Sequence, residues 1–160
     1  MKLEDFGTFV IFAAIYAAST LGLPRFIFLA YHVELGVIPT AFVAIFGMPA
    51  VFGLALGQFI ANFGFRVAPI EMLSPAVSFV GLLIVYYARK FSTLGGCIAY
   101  IIITSLWLSY MLPIVNGTPP ALAAYSAFSG QSIAVIIGYL AYLFAIKTMV
   151  PKKRETASEH

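Results

Sequence analysis

Polar side chains crowd a short hinge at residues 65–69, inside the otherwise apolar stretch from Gly53 to Lys90. Two apolar segments of membrane length meet at this hinge. The polar residues on its two sides are Gln58, Asn62, Arg66, Glu71 and Ser74. A carboxylate, a guanidinium and carboxamides can together hold a small polar solute by charge and hydrogen bonds. Polar groups so deep in an apolar sequence are unfavourable unless a partner or a ligand satisfies them, so the hinge is a candidate binding region.

Each of these residues also has a purely structural explanation. Arg66 can extend into lipid headgroups, and Glu71 lies in a first helical turn, where an acid favours the positive helix end. Gln58 and Asn62 are four residues apart and can hydrogen-bond between helices. Both explanations stay open, and the cluster as a whole favours a binding site more than any one member does.

Two further polar residues extend the cluster beyond the hinge. Glu34 lies between apolar runs with no capping pattern around it, and its main alternative role is a salt bridge to Arg25 or Arg66. Asn116, in the sequence Asn-Gly-Thr-Pro-Pro, has the alternative role of a turn residue.

The composition indicates a membrane environment. Of the 160 residues, 62% are hydrophobic and 9% are charged, and the mean hydropathy is +1.00. A soluble domain carries about a quarter charged residues. Apolar runs of about 17 residues or more recur along the chain, which is the length that crosses a bilayer as a helix. The sequence therefore predicts an integral membrane protein of the cell membrane, with the lipid bilayer as its surroundings.

Several classes of function are disfavoured by what the sequence lacks. The chain has a single cysteine, Cys97, which is too few for a disulfide framework. It has only two histidines, His32 and His160, which are too few for a multi-histidine metal centre. No phosphate-binding loop, Rossmann fingerprint, zinc-protease motif or nucleophile elbow is present. No soluble region is large enough for a nucleic-acid module. We therefore expect no enzyme activity, no cofactor, no metal and no nucleic-acid partner.

Six membrane segments fit the apolar pattern. The predicted fold is an all-α compact bundle of six transmembrane helices in one domain, residues 1–150, followed by a short charged cytoplasmic tail, residues 151–160. The second segment is expected to begin with a non-helical or re-entrant piece at residues 31–34. The predicted segments are 6–22, 26–46, 49–64, 69–88, 93–114 and 121–147.

The basic residues predict the orientation of this bundle. With both termini in the cytoplasm, seven basic residues lie inside and only Arg25 and Arg66 lie outside, as the positive-inside rule favours. Five segments would put the basic tail outside. The hinge at 65–69, Glu34 and Asn116 then fall at or near the outer face, which predicts a ligand pocket open to the outside. The inside set is Lys2, Arg89, Lys90, Lys147, Lys152, Lys153 and Arg154.

Small residues at a spacing of four predict two close-packing strips. Gly53, Gly57 and Ala61 line one face of the third helix, where they favour packing inside the bundle. The first helix carries two alanine pairs at the same spacing, and these can either pack internally or form a smooth docking face for another membrane subunit. The two pairs are Ala13 with Ala17 and Ala14 with Ala18.

These motifs resemble a known class of membrane protein. A small six-helix hydrophobic chain with an alanine-rich first helix and no ATPase motif is similar to the substrate-binding S component of energy-coupling factor (ECF) transporters. Within that class, GLALGQFIANFGFRVAPIEMLSPAVSFVGLLIVYYARK resembles the Gly-rich, Ala-Asn and acidic core of the queuosine-precursor (QueT) transporter family. Residues 113–116 and 130–138 resemble that family's later proline-to-asparagine stretch and the start of its last helix.

The resemblance implies a mechanism with partners. An S component captures a vitamin-like or nucleobase-like solute in an outward-facing pocket, and a transmembrane coupling subunit powered by two ATPase subunits then engages it. The leading expectation for the solute is a deazaguanine precursor of queuosine, and the alanine pairs of the first helix would be the docking surface. The implied substrate-binding residues are Glu34, Gln58, Asn62, Arg66, Glu71, Asn116 and Gln131.

Three positions depart from the QueT pattern. Gln131 replaces an acid at the start of the last helix, Glu71 replaces an aspartate, and residues 32–35 only loosely match an Arg-x-x-Glu-Ala-Leu stretch. Because glutamine offers one carbonyl oxygen and adds donors, Gln131 bears on which solute fits. Two other functions remain open on the sequence: a self-sufficient small secondary transporter or channel, and a membrane assembly subunit that transports nothing.

Overall fold

Six helical stretches make up most of the described chain. The structure is a computed structural model, and it describes residues 3–22, 27–28, 31–65 and 67–149. Two very short strands, β1 (Ile27–Phe28) and β2 (Tyr31–His32), pair antiparallel between the first two helical stretches. The helices are α1 (Leu3–Gly22), a 3₁₀ segment (Leu35–Phe42) that continues into α2 (Val43–Phe46), α3 (Met48–Gly64), a 3₁₀ turn (Pro69–Leu73) that continues into α4 (Ser74–Ala88), α5 (Thr93–Asn116) and α6 (Pro120–Met149).

Four of these stretches are long and apolar enough to cross a membrane. They are Leu3–Gly22, Pro69–Ala88, Thr93–Asn116 and Pro120–Thr148. Helix α3 has 17 residues. It is therefore about 25 Å long, against about 30 Å for a bilayer's hydrocarbon core. The architecture is compatible with a multi-pass membrane protein, while the membrane orientation and the single-domain assignment stay predictions. The predicted tail at 151–160 lies outside the described residues.

The predicted second segment, 26–46, is the part of the fold that needs correction. Its helical portion begins only at Leu35, and its first eight residues form a 3₁₀ helix with Pro39 inside. Proline has no backbone N–H and clashes with the preceding turn of an α-helix, which disfavours a continuous α-helix here. The prediction that residues 31–34 are not helical is confirmed, and the other segments start and end within about three residues of their predicted bounds.

Neighbouring elements contact one another in a closed ring. The order around the ring is α1, α3, α4, α5, α6 and the 3₁₀ segment 35–42, which returns to α1. The outer surface of this ring carries large apolar side chains such as Phe63, Leu140 and Phe144. Polar side chains are instead buried between the helices, among them Gln58, Ser105 and others described below. This distribution matches a protein whose exterior meets lipid rather than water.

Glycines allow the closest helix contacts. A Cβ atom at Gly57 would lie 2.6 Å from the carbonyl oxygen of Ala13, and one at Gly53 would lie 2.5 Å from that of Phe9, so α1 and α3 touch through their backbones. The predicted internal packing of the Gly53 strip is confirmed. Likewise, a Cβ atom at Gly138 of α6 would collide with the carbonyl oxygen of Ile38, which fixes the 3₁₀ segment against α6.

The bundle has two distinct ends. At one end, Leu21 of α1 approaches Gly64 of α3, so these two helices finish together. We call this the Gly64 end. At the other end, the guanidinium of Arg89 lies over the Tyr86 ring, 4.1 Å from its centroid, and donates to the carbonyl oxygen of Ala44 at 3.4 Å. We call this the Arg89 end. The hinge at 65–69 and the Arg89–Lys90 turn are therefore at opposite ends of α4.

Candidate functional site

A small cavity inside the ring is lined almost entirely by polar and aromatic side chains. Glu34, which precedes the 3₁₀ segment, and the four helices α3, α4, α5 and α6 contribute to it, so it lies where the elements of the ring converge. We call it the polar cavity. Its lining residues are Glu34, Gln58, Ser74, Ser78, Tyr100, Thr104, Trp107, Leu108 and Gln131.

Helical spacing brings these side chains to one place. Ser74 and Ser78 are one turn apart on α4, and Tyr100, Thr104 and Trp107 recur every three or four residues on α5, so each set shares one helix face. Gln58 lies six residues before the end of α3 at Gly64, which is about 9 Å along the helix axis. The polar cavity therefore lies below the Gly64 end of the bundle rather than at the Arg89 end.

A short hydrogen bond fixes Glu34, the only carboxylate among the described residues of the lining. The Tyr16 hydroxyl of α1 donates to Glu34 Oε1 at 2.5 Å. Glu34 immediately precedes the 3₁₀ segment, and its side chain does not cap that helix. The carboxylate thus lines the cavity while Tyr16 holds its orientation.

Gln58 has an unused acceptor in this site. Its side chain is 5% exposed, and its Oε1 atom is buried without a hydrogen-bond partner in the structure. A buried carbonyl oxygen without a partner costs about 1–3 kcal/mol. Such a group therefore indicates a missing donor, either from water or from a bound solute.

Gln131 lies across the cavity from α3 with its oxygen already engaged. The side chain is 1% exposed, and its Oε1 accepts a 3.4 Å hydrogen bond from Thr104 Oγ1. Thr104 also donates to the Tyr100 carbonyl oxygen at 2.8 Å. Because the single Thr104 proton is shared with the closer Tyr100 carbonyl oxygen, the Gln131 amide presents its N–H donors and a weakly engaged carbonyl oxygen.

The aromatic side of the cavity is held by a chain of contacts between α4 and α5. The Trp107 indole N–H donates to Ser74 Oγ at 2.8 Å, and Ser74 in turn donates to the Met111 sulfur at 3.7 Å. Tyr100 faces the side chains of Ser78 and Thr40. These contacts orient two flat aromatic surfaces, of Trp107 and Tyr100, within a hydrogen-bonding pocket.

The cavity is nearly closed in this conformation. Its free volume is about 10 Å³, which is room for about one water molecule. Seven of the nine lining side chains are buried, while Glu34 and Trp107 are half-buried. A solute larger than water must therefore displace side chains, and these two are the ones with room to move.

The structure brings three of the seven predicted binding residues together. Glu34, Gln58 and Gln131 line the polar cavity. Asn62 is buried one turn nearer the Gly64 end, where its amide donates to the backbone carbonyl oxygen of Glu71 at 3.0 Å. Glu71 is also buried, so this pair joins α3 to the 3₁₀ turn beside the cavity instead of lining it.

Asn116, a further predicted binding residue, is not in the lining of the cavity. Asn116 is exposed at the last turn of α5, just before the left-handed Gly117 that ends the helix. It is the last residue of α5, beside the turn at Gly117, which is close to the turn role that was its structural alternative. Arg66 lies outside the described residues.

Sequence reasoning missed most of the α4 and α5 contribution. Ser78, Tyr100, Thr104 and Trp107 are isolated in apolar runs, where tyrosine and tryptophan are also typical of lipid-facing positions. The available signal was their helical spacing: polar or aromatic side chains at 100, 104 and 107 mark one face of α5.

The alanine pairs of α1 divide between the inside and the outside. Ala13 is 7% exposed and packs against Gly57, so it lies in the α1–α3 contact, and a docking role for it stays a prediction. Ala17 is half-buried. Ala14 and Ala18 are exposed on a neighbouring face of the helix and remain available to a partner.

The polar cavity is suited to hydrogen bonding rather than to metal chemistry. Within the described ranges, no three His, Cys, Asp or Glu side chains come together as possible metal ligands. One carboxylate, two carboxamides and two aromatic side chains can instead bind a small flat polar molecule. The geometry of this site carries the functional argument, because comparisons with known protein families, with curated proteins and with solved structures find no match for this chain.

Proposed function

We propose that this protein is the solute-capturing membrane subunit of an ECF-type importer, and that its solute binds in the polar cavity. The observation that carries the proposal is the buried, unpartnered Oε1 of Gln58 in a cavity shared with the Glu34 carboxylate. A bilayer protein has little reason to bury these groups together without a ligand, because each is unfavourable in an apolar interior.

The lining fits a vitamin-like or nucleobase-like solute. Such molecules are flat and carry hydrogen-bond donors and acceptors on their edges. Tyr100 and Trp107 provide aromatic faces, and Glu34, Gln58 and Gln131 provide acceptors and donors around them. A deazaguanine precursor of queuosine is the leading solute, with Gln131 in the place of an acid as the main difference from the QueT pattern.

The position of the cavity agrees with capture from outside. It lies below the Gly64 end, and the count of basic residues predicts that this end faces outward with both termini in the cytoplasm. In this arrangement all six helical stretches are membrane segments, the shorter Leu35–Phe46 and Met48–Gly64 included.

Delivery across the membrane requires partners in this proposal. The sequence contains no phosphate-binding loop, so two ATPase subunits would supply the energy through a transmembrane coupling subunit. The exposed Ala14 and Ala18 of α1 form the proposed docking surface, because small side chains let another helix approach closely.

A second candidate is a membrane assembly subunit that binds no solute. The volume of about 10 Å³ favours it, since polar side chains can also serve as contacts between helices. The two candidates differ in whether any small molecule stabilises the protein.

A ligand panel distinguishes them. The purified full-length chain in lipid nanodiscs is heated with deazaguanines, purines, thiamine, riboflavin, biotin and amino acids. Saturable thermal stabilisation by one solute class is expected, whereas stabilisation by none would favour the assembly subunit. Co-expression with an ECF coupling module tests the partner, since a folded chain that never co-purifies with the module would contradict the importer. Uptake into proteoliposomes without ATP would indicate a self-sufficient transporter instead.

A further inference from the structure

The polar cavity contains a buried acceptor that none of its described donors satisfies. This acceptor is Gln58 Oε1, and the same cavity is lined by the Glu34 carboxylate, whose Oε1 takes the Tyr16 hydroxyl. A carboxylate accepts only, whereas a carboxamide both accepts and donates, so this wall presents acceptor oxygens of both side chains beside the N–H donors of Gln58. We call it the Glu34–Gln58 wall.

The donors of the cavity are largely engaged within the protein. The indole N–H of Trp107 donates to Ser74, and the Ser74 hydroxyl donates to the Met111 sulfur. The Thr104 hydroxyl is shared between the Tyr100 carbonyl oxygen and Gln131 Oε1. The Gln131 amide retains donors on the side away from Thr104. None of these donors reaches Gln58 Oε1, which stays without a partner at the Glu34–Gln58 wall.

The charge of the lining disfavours an anionic solute. Glu34 is the only charged residue among the side chains that line the cavity, and none of those described lining side chains is basic. An anionic group placed there would face a carboxylate in a poorly solvated site, where like charges repel strongly.

From these observations we infer that the solute presents at least two N–H donors to the Glu34–Gln58 wall and carries no anionic group. This inference rests on the proposed function and sharpens it, because it names Gln58 as a specificity-determining residue. Neutral or cationic heterocycles with an amino group beside a ring N–H satisfy the requirement. Carboxylates, phosphates and ring edges that carry only carbonyl groups do not.

Three purines of nearly equal shape test the donor requirement. Guanine has a ring N–H beside an amino group, hypoxanthine lacks the amino group, and xanthine has a carbonyl oxygen in its place. Binding to the full-length chain is measured by competition against the solute class found with the panel. Each step from guanine to hypoxanthine to xanthine is expected to weaken binding about tenfold, the effect of one unmatched buried polar group.

The Gln58→Met variant assigns this preference to one residue. Methionine has nearly the length of glutamine but no carbonyl acceptor, so the guanine-to-hypoxanthine ratio should fall to within about threefold of unity. The matched control is Gln58→Glu, which keeps acceptor oxygens and should keep the preference for guanine. Both variants should elute as folded, monodisperse protein, so that a changed ratio reflects binding and not misfolding.

The possible results separate the inference from the proposed function. Xanthine binding as tightly as guanine, an unchanged ratio in Gln58→Met, or a panel solute that is anionic, such as biotin, would overturn the inference and leave solute capture standing. Thiamine, a cationic aminopyrimidine, would support it. Stabilisation by no solute at all would overturn the proposed function and the inference with it.

Discussion

The hydroxyl of Tyr16 donates a 2.5 Å hydrogen bond to the carboxylate of Glu34. This bond joins the middle of α1 to the residue that precedes the 3₁₀ segment, across 18 positions of sequence. The same α1 helix carries the exposed Ala14 and Ala18 on another face. Helix α1 therefore contacts Glu34 in the lining of the polar cavity and also carries the proposed docking surface. A movement of Glu34 on solute binding would act directly on α1.

Replacing Tyr16 with phenylalanine tests the importance of this bond. A hydrogen bond to a charged group contributes about 1.5–3 kcal/mol, so Tyr16→Phe should lower the free energy of unfolding by that amount. Solute affinity should fall as well, because the carboxylate loses the donor that orients it. Reversible SDS titration measures the stability. Tyr87→Phe is the control, since Tyr87 is exposed and should change neither quantity; equal effects in the two variants would contradict this role for Tyr16.

Replacing Gln58 with methionine should affect stability and binding in opposite directions. Without solute, Gln58→Met removes a buried carbonyl oxygen that has no partner, and the free energy of unfolding should rise by about 1–3 kcal/mol. Solute stabilisation should be strongly reduced. Thermal unfolding with and without the panel solute measures both.

Asn62→Ala provides the structural comparison for this experiment. Asn62 bonds the Glu71 backbone carbonyl, so its loss should destabilise the protein by about 1 kcal/mol and leave affinity less affected than Gln58→Met does. A destabilised Gln58→Met variant would show instead that Gln58 is a structural contact between helices.

The sequence was sufficient for the long helices and for part of the site. The lengths of the apolar runs and the turn residues between them predicted α3, α4, α5 and α6 closely. Local periodicity determines that a helix forms, and glycine and proline determine where it ends. Glu34 and Gln58 could be found because a polar side chain within an apolar run needs a partner. The 3₁₀ conformation around Pro39 could not be predicted, since it depends on packing against Tyr16 and α6 as well as on the proline.

The remaining cavity residues depend on information that a single sequence lacks. Tyr100 and Trp107 could equally have faced lipid, and only the rotation of α5 in the ring turns them inward. The separation of Ala13 from Ala14 has the same origin. Adjacent residues of a helix point about 100° apart, and which one meets α3 is decided by the backbone contact at Gly57.

A single methyl group at Gly57 should disturb the α1–α3 contact. Its Cβ would lie 2.6 Å from the Ala13 carbonyl oxygen and 2.7 Å from Tyr16 Cβ. Gly57→Ala should therefore lower the free energy of unfolding by about 1–3 kcal/mol through overpacking. Gly7→Ala is the control, because nothing lies within 4 Å of its added Cβ, and it should be neutral or stabilising by up to about 1 kcal/mol. Equal stability of both variants in SDS titration would contradict the close contact.

The two neighbouring alanines should respond differently to the same substitution. Ala14 is exposed, so Ala14→Leu should fold, keep nearly unchanged solute affinity, and weaken both co-purification with the coupling subunit and uptake. Ala13→Leu should destabilise the chain itself, because Ala13 lies against Gly57. Pull-down yield and solute affinity are measured for each. Loss of affinity in Ala14→Leu equal to its loss of docking would show that this face belongs to the internal packing.

Trp107 is the only tryptophan of the chain and lines the polar cavity, so its fluorescence reports on the proposed site alone. The most direct test is titration of the full-length protein in nanodiscs with each solute of the panel, following that fluorescence. We predict a saturable change with one solute class, a stoichiometry of one per chain, and loss of the response in Glu34→Ala. A protein that is folded and yet shows no saturable change with any solute of the panel would contradict solute capture in this cavity.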